Sequence, residues 1–302
     1  MIDRDHSSFP AYERERARGL AALDAGQLGE ARECFAAAHA AALALGDPEL
    51  VDRAYCNEAA AAISLGEVEA PVPALREILM RGSSPANCYL AAYNIARAYE
   101  LRKEHKKGLF YARIARDRAE TLDHREWLAS AWNQIANFLL GDSFFDEAAA
   151  TYRRALALVP GQSSPRQLVY RANLAYCELV LGRLRSGISM LYRCLRAARQ
   201  HGWRRGEMIA HVDLCYGLLE LGRLDRAEEH GRRGLALAEA SGEGDWVKNA
   251  LFLLGEVAMV AGAAGDGRAR FAELQRRFFP ELPQVSNFLA NVDIRRLVNL
   301  RA

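Results

Sequence analysis

Nowhere in the 302-residue chain do 18 uncharged apolar residues run together, so the sequence offers no candidate membrane-spanning helix. A secretory signal is missing as well: Met1 to Pro10 holds Asp3, Arg4, Asp5 and His6 with no apolar run behind them. The six cysteines (Cys34, Cys56, Cys88, Cys177, Cys194 and Cys215) lie far apart, and none makes a Cys-x-x-Cys pair. They sit in helical patterns as small apolar residues, which suits a reducing cytoplasm. None of the seven histidines makes His-x-x-x-His or His-Glu-x-x-His, so no metal site is expected. There is no Gly-x-Ser-x-Gly elbow and no neighbouring Cys and His to form a nucleophile. The glycine-rich run Gly262 to Gly267 lacks the Lys-Ser/Thr pair that would hold phosphates and magnesium, and reads as a turn. Neither a catalytic group nor a cofactor is therefore expected, and the chain reads as non-enzymatic. Lysine is scarce too, at four of 40 basic residues. With abundant alanine, this reflects a GC-rich bacterial genome, so the arginines are a weak sign of phosphate reading. A net charge of +2 gives no overall field to draw in nucleic acid or an anionic membrane.

What the chain does have is a period. Gly26-Gln27-Leu28-Gly29-Glu30-Ala31 returns as Gly222-Arg223-Leu224-Asp225-Arg226-Ala227, with diverged copies aligning on Gly66, Lys103, Ser143, Gly182 and Gly262. The step is about 40 residues. Between these anchors, apolar residues recur at i, i+3, i+4 and i+7, broken by Gly, Asp, Ser or Pro, and no period-two strand is visible. Each repeat is then a pair of helices. A glycine at the anchor ends the first helix in the left-handed conformation, so Lys103 and Ser143 predict altered turns. Five residues on stands Ala31, Gly108, Ala148, Gly187, Ala227 or Gly267, small enough to let the two helices approach. Nine residues on, Phe35, Leu75, Tyr152, Leu191 and Phe271 fill the groove to the next pair. Pro71 and Pro73 should disturb the start of the second helix of the second repeat, and Gly231 and Gly234 should weaken that of the sixth. A helix pair cannot bury its apolar face alone, so the pairs must stack.

The fourth repeat, with Trp132, Ile135, Ala136, Ala148, Tyr152, Ala155 and Pro160, resembles the tetratricopeptide repeat at nearly every signature position. The resemblance covers about residues 10 to 280, with lengthened repeats like those of kinesin light chains and bacterial peptide-sensing regulators. It implies an all-α, right-handed superhelical solenoid of about seven helix pairs over residues 11–280, with a groove lined by the first helices. Residues 1–10 are expected to be a flexible N-terminus. In 281–302, Val285, Phe288, Leu289, Val292, Leu297 and Val298 share a helical spacing, which predicts a C-terminal capping helix, with a partner-binding tail as the alternative.

By the same resemblance, inward positions fall on Tyr93, Arg97, Asn133, Asn137, Tyr176 and Tyr216. Each is a peptide contact or inter-helix packing. Tyrosine offers ring area and a hydroxyl, and asparagine both a donor and an acceptor for a peptide backbone. Asn137 falls where chaperone-binding members hold a carboxylate, but Tyr93, Tyr176, Val212 and Tyr216 stand where the matching basic residues would be.

Charge adds one local feature. From Ser164 to Arg205 nine arginines (Arg166, Arg171, Arg183, Arg185, Arg193, Arg196, Arg199, Arg204 and Arg205) face one acid, Glu178. Arg193, Arg196 and Arg199 recur every third residue. They form an exposed face neutralised by Asp225, Glu228 and Glu229, or a patch for an acidic protein partner. Nucleic acid is disfavoured because no aromatic platform interleaves them. The function expected is a scaffold that takes a peptide or helix of a partner protein in its groove, or else a sensor that responds to a peptide or ligand. The oligomeric state is not readable.

Overall fold

Helix–turn–helix hairpins follow one another along the computed structural model, which describes residues 8–159 and 164–301. Fifteen helices and no strand occur among the described residues. The chain divides into two units, Met1–Phe138 and Leu139–Ala302. The first contains α1 (Ser8–Asp24), α2 (Leu28–Leu45), α3 (Pro48–Ser64), α4 (Val72–Arg81), α5 (Pro85–Leu101), α6 (His105–Thr121) and most of α7 (Arg125–Gly141). The second contains α8 (Phe145–Leu158), α9 (Pro165–Val180), α10 (Leu184–Gln200), α11 (Arg204–Glu220), α12 (Leu224–Ser241), α13 (Gly244–Val260), α14 (Ala264–Phe278) and α15 (Val285–Asn291). Pro160 lies outside the described residues, as do positions 1–7 of the expected flexible N-terminus.

Helix starts are marked by local chemistry. The Asp47 carboxylate accepts from the amides of Glu49 (2.9 Å) and Leu50 (3.3 Å), with Pro48 at the first helical position. Pro71 and Pro73 leave α4 ten residues long, with its first turn displaced to Val72.

Each of the seven anchors, Gly26, Gly66, Lys103, Ser143, Gly182, Gly222 and Gly262, has φ between 56° and 94°. The altered turns expected at Lys103 and Ser143 are not found. The Lys103 amide donates to Glu100 O and that of Glu104 to Tyr99 O, the pattern made by Gly26 with Leu23 and Gln27 with Ala22. This paired closure holds the left-handed residue in place whatever its side chain. A second left-handed set, Gly46, Gly82, Asp123, Gly202 and Gly242, closes the turns between hairpins. A non-glycine residue costs about 1–2 kcal/mol in this region, partly offset by the lower unfolded-state entropy it brings. Lys103→Gly should therefore raise stability by about 0.5–1 kcal/mol in a urea melt, and an unchanged midpoint would show that the turn is not strained.

The small residues do what their size suggests. Ala31, Ala148 and Ala227 are fully buried. A Cβ on Gly108 would lie 2.2 Å from the Phe138 ring, and one on Gly187 2.6 Å from Leu179 and 2.8 Å from the Ala175 carbonyl. Phe35 is buried with Ala22, Ala31 and Ala61, and Leu75 with Ile63 and Ile95, so side chains of successive hairpins share one core. Gly231 and Gly234 belong to the same device and are more than propensity defects. A Cβ at Gly231 would meet Leu254 at 2.7 Å and Cys215 Sγ at 2.9 Å, and one at Gly234 would meet Val212 Cγ2 at 2.7 Å. They let α12 seat against its neighbours.

The helix predicted over the tail forms only at Val285–Asn291, where Ser286 N donates to the Gln275 side chain on α14. From Val292 the backbone is extended or turned, and Leu297 is 82% exposed while Leu300 is buried. The polar residues of this stretch explain the departure: Arg295, Arg296, Asn299 and Arg301 find partners on the first helices of the second unit, while Asp293 pairs with Arg295 within the tail.

Candidate peptide-binding groove

In the first unit, four of the predicted contact residues lie on α5 and α7. Tyr93 is half-buried and stacks on Tyr89, whose ring in turn stacks on Trp127 with centroids 4.3 Å apart. The Gln134 amide donates to Tyr93 O at 3.1 Å. Asn133 is buried. Asn137 donates to Glu100 Oε1 at 2.7 Å. Burial raises the pKa of Glu100, which the Asn137 bond and the Arg97 charge oppose. Asn137 therefore serves a neighbouring carboxyl, and Arg97 stands beside the same group.

In the second unit, the inward faces of α9, α11 and α13 form a groove that is occupied. The segment from Asp293 to Arg301 lies in it. Leu300 N donates to the Tyr176 hydroxyl at 2.9 Å, and Asn249 Nδ2 donates to Leu300 O at 2.8 Å. Asn299 Nδ2 reaches Leu140 O at 2.6 Å and Ser143 Oγ at 3.2 Å. The Arg301 guanidinium lies over two rings, 4.6 Å from Tyr176 and 4.4 Å from Trp246, with its NH2 2.6 Å from Asp213 Oδ2. Further along, Arg295 Nε is 3.2 Å from Glu256 Oε2, and Arg296 Nε donates to Glu220 Oε2 at 3.0 Å. Of the two tyrosines predicted here, Tyr176 makes both a backbone bond and an aromatic wall. Tyr216 is buried 6.1 Å from the Tyr176 ring, and burial pushes its hydroxyl up to about 12.

The spacing explains how helices build this face. Asp213, Tyr216 and Glu220 on α11 stand at i, i+3 and i+7, and Trp246, Asn249 and Glu256 on α13 at i, i+3 and i+10, one stripe of each helix. Burial lifts Asp213 to about 6 against the opposing pull of Arg301. It lifts Glu256 to about 7 against that of Arg295. The groove floor is thus acidic and desolvated, and arginines neutralise it.

Asp213, Trp246, Asn249, Glu220 and Glu256 were not among the predicted residues. A signal existed for one of them. Arg97, Asn137, Tyr176 and Tyr216 each stand six residues before their anchor, and so does Glu256 before Gly262. Val212, placed at the groove by the resemblance, instead faces Gly234 on α12. Asp213 is its neighbour in sequence but not in direction.

The arginine stripe is exposed at Arg193, Arg196 and Arg199, but its expected neutralisation is different. Glu228 and Glu229 pair with Arg232 and Arg233 one turn along their own helix, while Arg199 pairs with Glu207. Glu178 takes Arg153 and Arg183. Arg166 has no described side chain. Two histidines that looked scattered meet: His211 Nδ1 is 2.8 Å from His230 Nδ1. Among the described residues no group of three or more His, Cys, Asp or Glu is arranged to hold a metal, and no helix is long and apolar enough to cross a membrane.

No protein-family model matches the sequence, and no curated protein matches it by sequence. Solved structures do resemble the fold. A Rap protein complexed with competence and sporulation factor is 14% identical over 100% of this chain and 88% of its own, with a TM-score of 0.64. NprR in complex with its cognate peptide NprX is 13% identical over 95% of this chain and 83% of its own, also at 0.64. A signal-transduction ATPase from Pyrococcus horikoshii with a tetratricopeptide repeat sensor is 15% identical over 95% of this chain and 46% of its own, at 0.66. Hairpins closed by left-handed residues and sealed by small ones, together with these likenesses, give this chain the fold of the tetratricopeptide-type helical repeat proteins.

Proposed function

We propose that this protein is a non-enzymatic scaffold that binds an extended peptide or a helix of a partner protein along the inward faces of the first helices of its hairpins. The observation that carries the reading is the way Leu300 is held. Tyr176 and Asn249 bond its backbone N–H and C=O, contacts that any extended segment could make. Similar folds solved with a factor or a cognate peptide support it. Tyr176 and Tyr216 would supply contact area in the second unit, and Tyr93, Arg97, Asn133 and Asn137 are proposed to do so on the first. Arg193, Arg196 and Arg199 remain a surface suited to an acidic protein partner. The six cysteines, all free and buried, suit a reducing cytoplasm. In an affinity pull-down from the native cells, Tyr176→Ala and Asn137→Ala should each reduce the co-purified partner several-fold with unchanged helical content. Equal recovery with both variants would overturn the reading.

A sensor is the second reading, favoured by the likeness to the repeat sensor of the signal-transduction ATPase. In that case hydrogen-exchange protection on adding cell extract should spread beyond the contact helices, whereas a static scaffold would be protected only at the contacts.

A further inference from the structure

We propose that the groove of the second unit is a receptor for an extended, arginine-bearing segment, and that Asp293–Arg301 is its resident internal occupant, which a partner segment of the same chemistry must displace. The inference rests on the reading that this groove takes a partner segment, and it adds what the segment must carry and what holds the groove closed.

Three features carry it. The first is charge complementarity. Three carboxylates on the floor, Asp213, Glu220 and Glu256, meet Arg301, Arg296 and Arg295. A groove that buries carboxylates beneath its occupant selects cationic ones, because a neutral occupant would leave those groups desolvated and unpaired. The second is the cage around Arg301. Two aromatic rings lie within 5 Å of its guanidinium, and one fully buried carboxylate closes the end. This is the arrangement that recognises a planar cation by its faces and its edge together.

The third feature makes the occupant displaceable. Arg301 meets Asp213 through one nitrogen only. Asp213 Oδ1, Arg301 Nε and Arg301 NH1 are all buried without a hydrogen-bond partner. A paired two-point contact would satisfy an oxygen and a nitrogen that the internal segment leaves unmet. Leu297, in the middle of the segment, is 82% exposed and contributes little burial. An incoming arginine free to approach Asp213 through two nitrogens would gain what the resident one forgoes.

The test uses the full chain and a fluorescein-labelled peptide of residues 293–301, followed by fluorescence anisotropy. The wild-type chain should bind the peptide weakly. Arg301→Ala should bind it at least tenfold more tightly, since its own occupant is weakened. A peptide carrying alanine in place of Arg301 should lose at least tenfold of that gain, and Asp213→Asn combined with Arg301→Ala should abolish it. A second measurement stands without any variant. Saturating unlabelled peptide should speed hydrogen exchange at the Leu300 amide of the wild-type chain, because that donor leaves Tyr176. A folded Arg301→Ala chain with no gain in affinity would overturn the proposal. So would loss of cooperative melting in that variant, which would make the segment part of the fold, or an unchanged Leu300 amide under excess peptide. The underlying reading fails separately: Tyr176→Ala and Asn137→Ala would leave capture of the cellular partner unchanged even if the peptide exchanges with the internal segment.

Discussion

Asp213→Ala should release the Asn299–Arg301 segment and leave the helices standing. Removing one member of a buried ion pair costs about 3–5 kcal/mol when the other charge must stay where it is. Arg301 is on a segment held by a few hydrogen bonds, so it can leave the cage and recover its hydration. The penalty then falls on docking of the segment. At about 1.4 kcal/mol per factor of ten, the Leu300 and Arg301 amides should exchange roughly a hundred to a few thousand times faster, with far-UV circular dichroism unchanged. Full protection at Leu300 in this variant would show that Tyr176 and Asn249 suffice and that the carboxylate is dispensable. Loss of helical signal would show that the segment is integral to α11.

His230→Gln should gain about 2 kcal/mol relative to the wild type on going from pH 7 to pH 5, measured by denaturant melts at both values. The geometry gives the sign. An Arg199 nitrogen lies 3.3 Å from His211 Nε2, so that nitrogen accepts and His211 carries its proton on Nδ1. His211 Nδ1 then donates to His230 Nδ1, and His230 Nε2 donates to the Tyr192 hydroxyl at 3.2 Å. Arg226 also donates to that hydroxyl, and Glu229, Arg226 and Arg233 add their charges around His230. A further proton on His230 would set two N–H groups against each other at 2.8 Å, and one on His211 would set its Nε2–H against the Arg199 guanidinium at 3.3 Å. Burial is the first cause that lowers His211 to about 3 and His230 to about 4, and each neighbouring imidazolium or arginine adds to it for His211. Both folded values lie below the unfolded one near 6.5. The stabilisation is therefore complete above about pH 6.5 and is lost as pH falls below it, because the unfolded chain takes up protons that the fold refuses. Asp213 and Glu256 oppose this, since their folded values are raised and their protonation favours the fold between about pH 7 and 4. The wild-type profile is the sum of both trends, so only the difference between variant and wild type isolates His230. Glutamine can accept from His211 and donate to Tyr192, which keeps the chain of bonds. A difference that does not move with pH would mean that His230 titrates normally.

The helical hairpins were legible because their determinants are local. A left-handed turn every 40 or so residues, a small residue five places on and a bulky one nine places on each act within one pair of helices. Even so, the Lys103 and Ser143 turns were misjudged. Two backbone hydrogen bonds of the helix end outweigh the preference of one side chain. Gly231 and Gly234 were read by propensity alone because the side chains that would collide with them, Val212, Cys215 and Leu254, come from other helices. The groove was half legible. Tyr176 and Tyr216 came from the repeat register, and one more repeat would have added Glu256.

The amino-acid order alone determined that this chain is helical, where the hairpin helices turn, and which side of each one carries its small residues, since these follow from contacts between residues fewer than ten positions apart. Only the tertiary structure decided what fills the groove. Arg301 meets Asp213 across 88 positions and Leu300 meets Tyr176 across 124. No periodicity carries such pairings, because a buried carboxylate takes whichever cation the fold brings within reach.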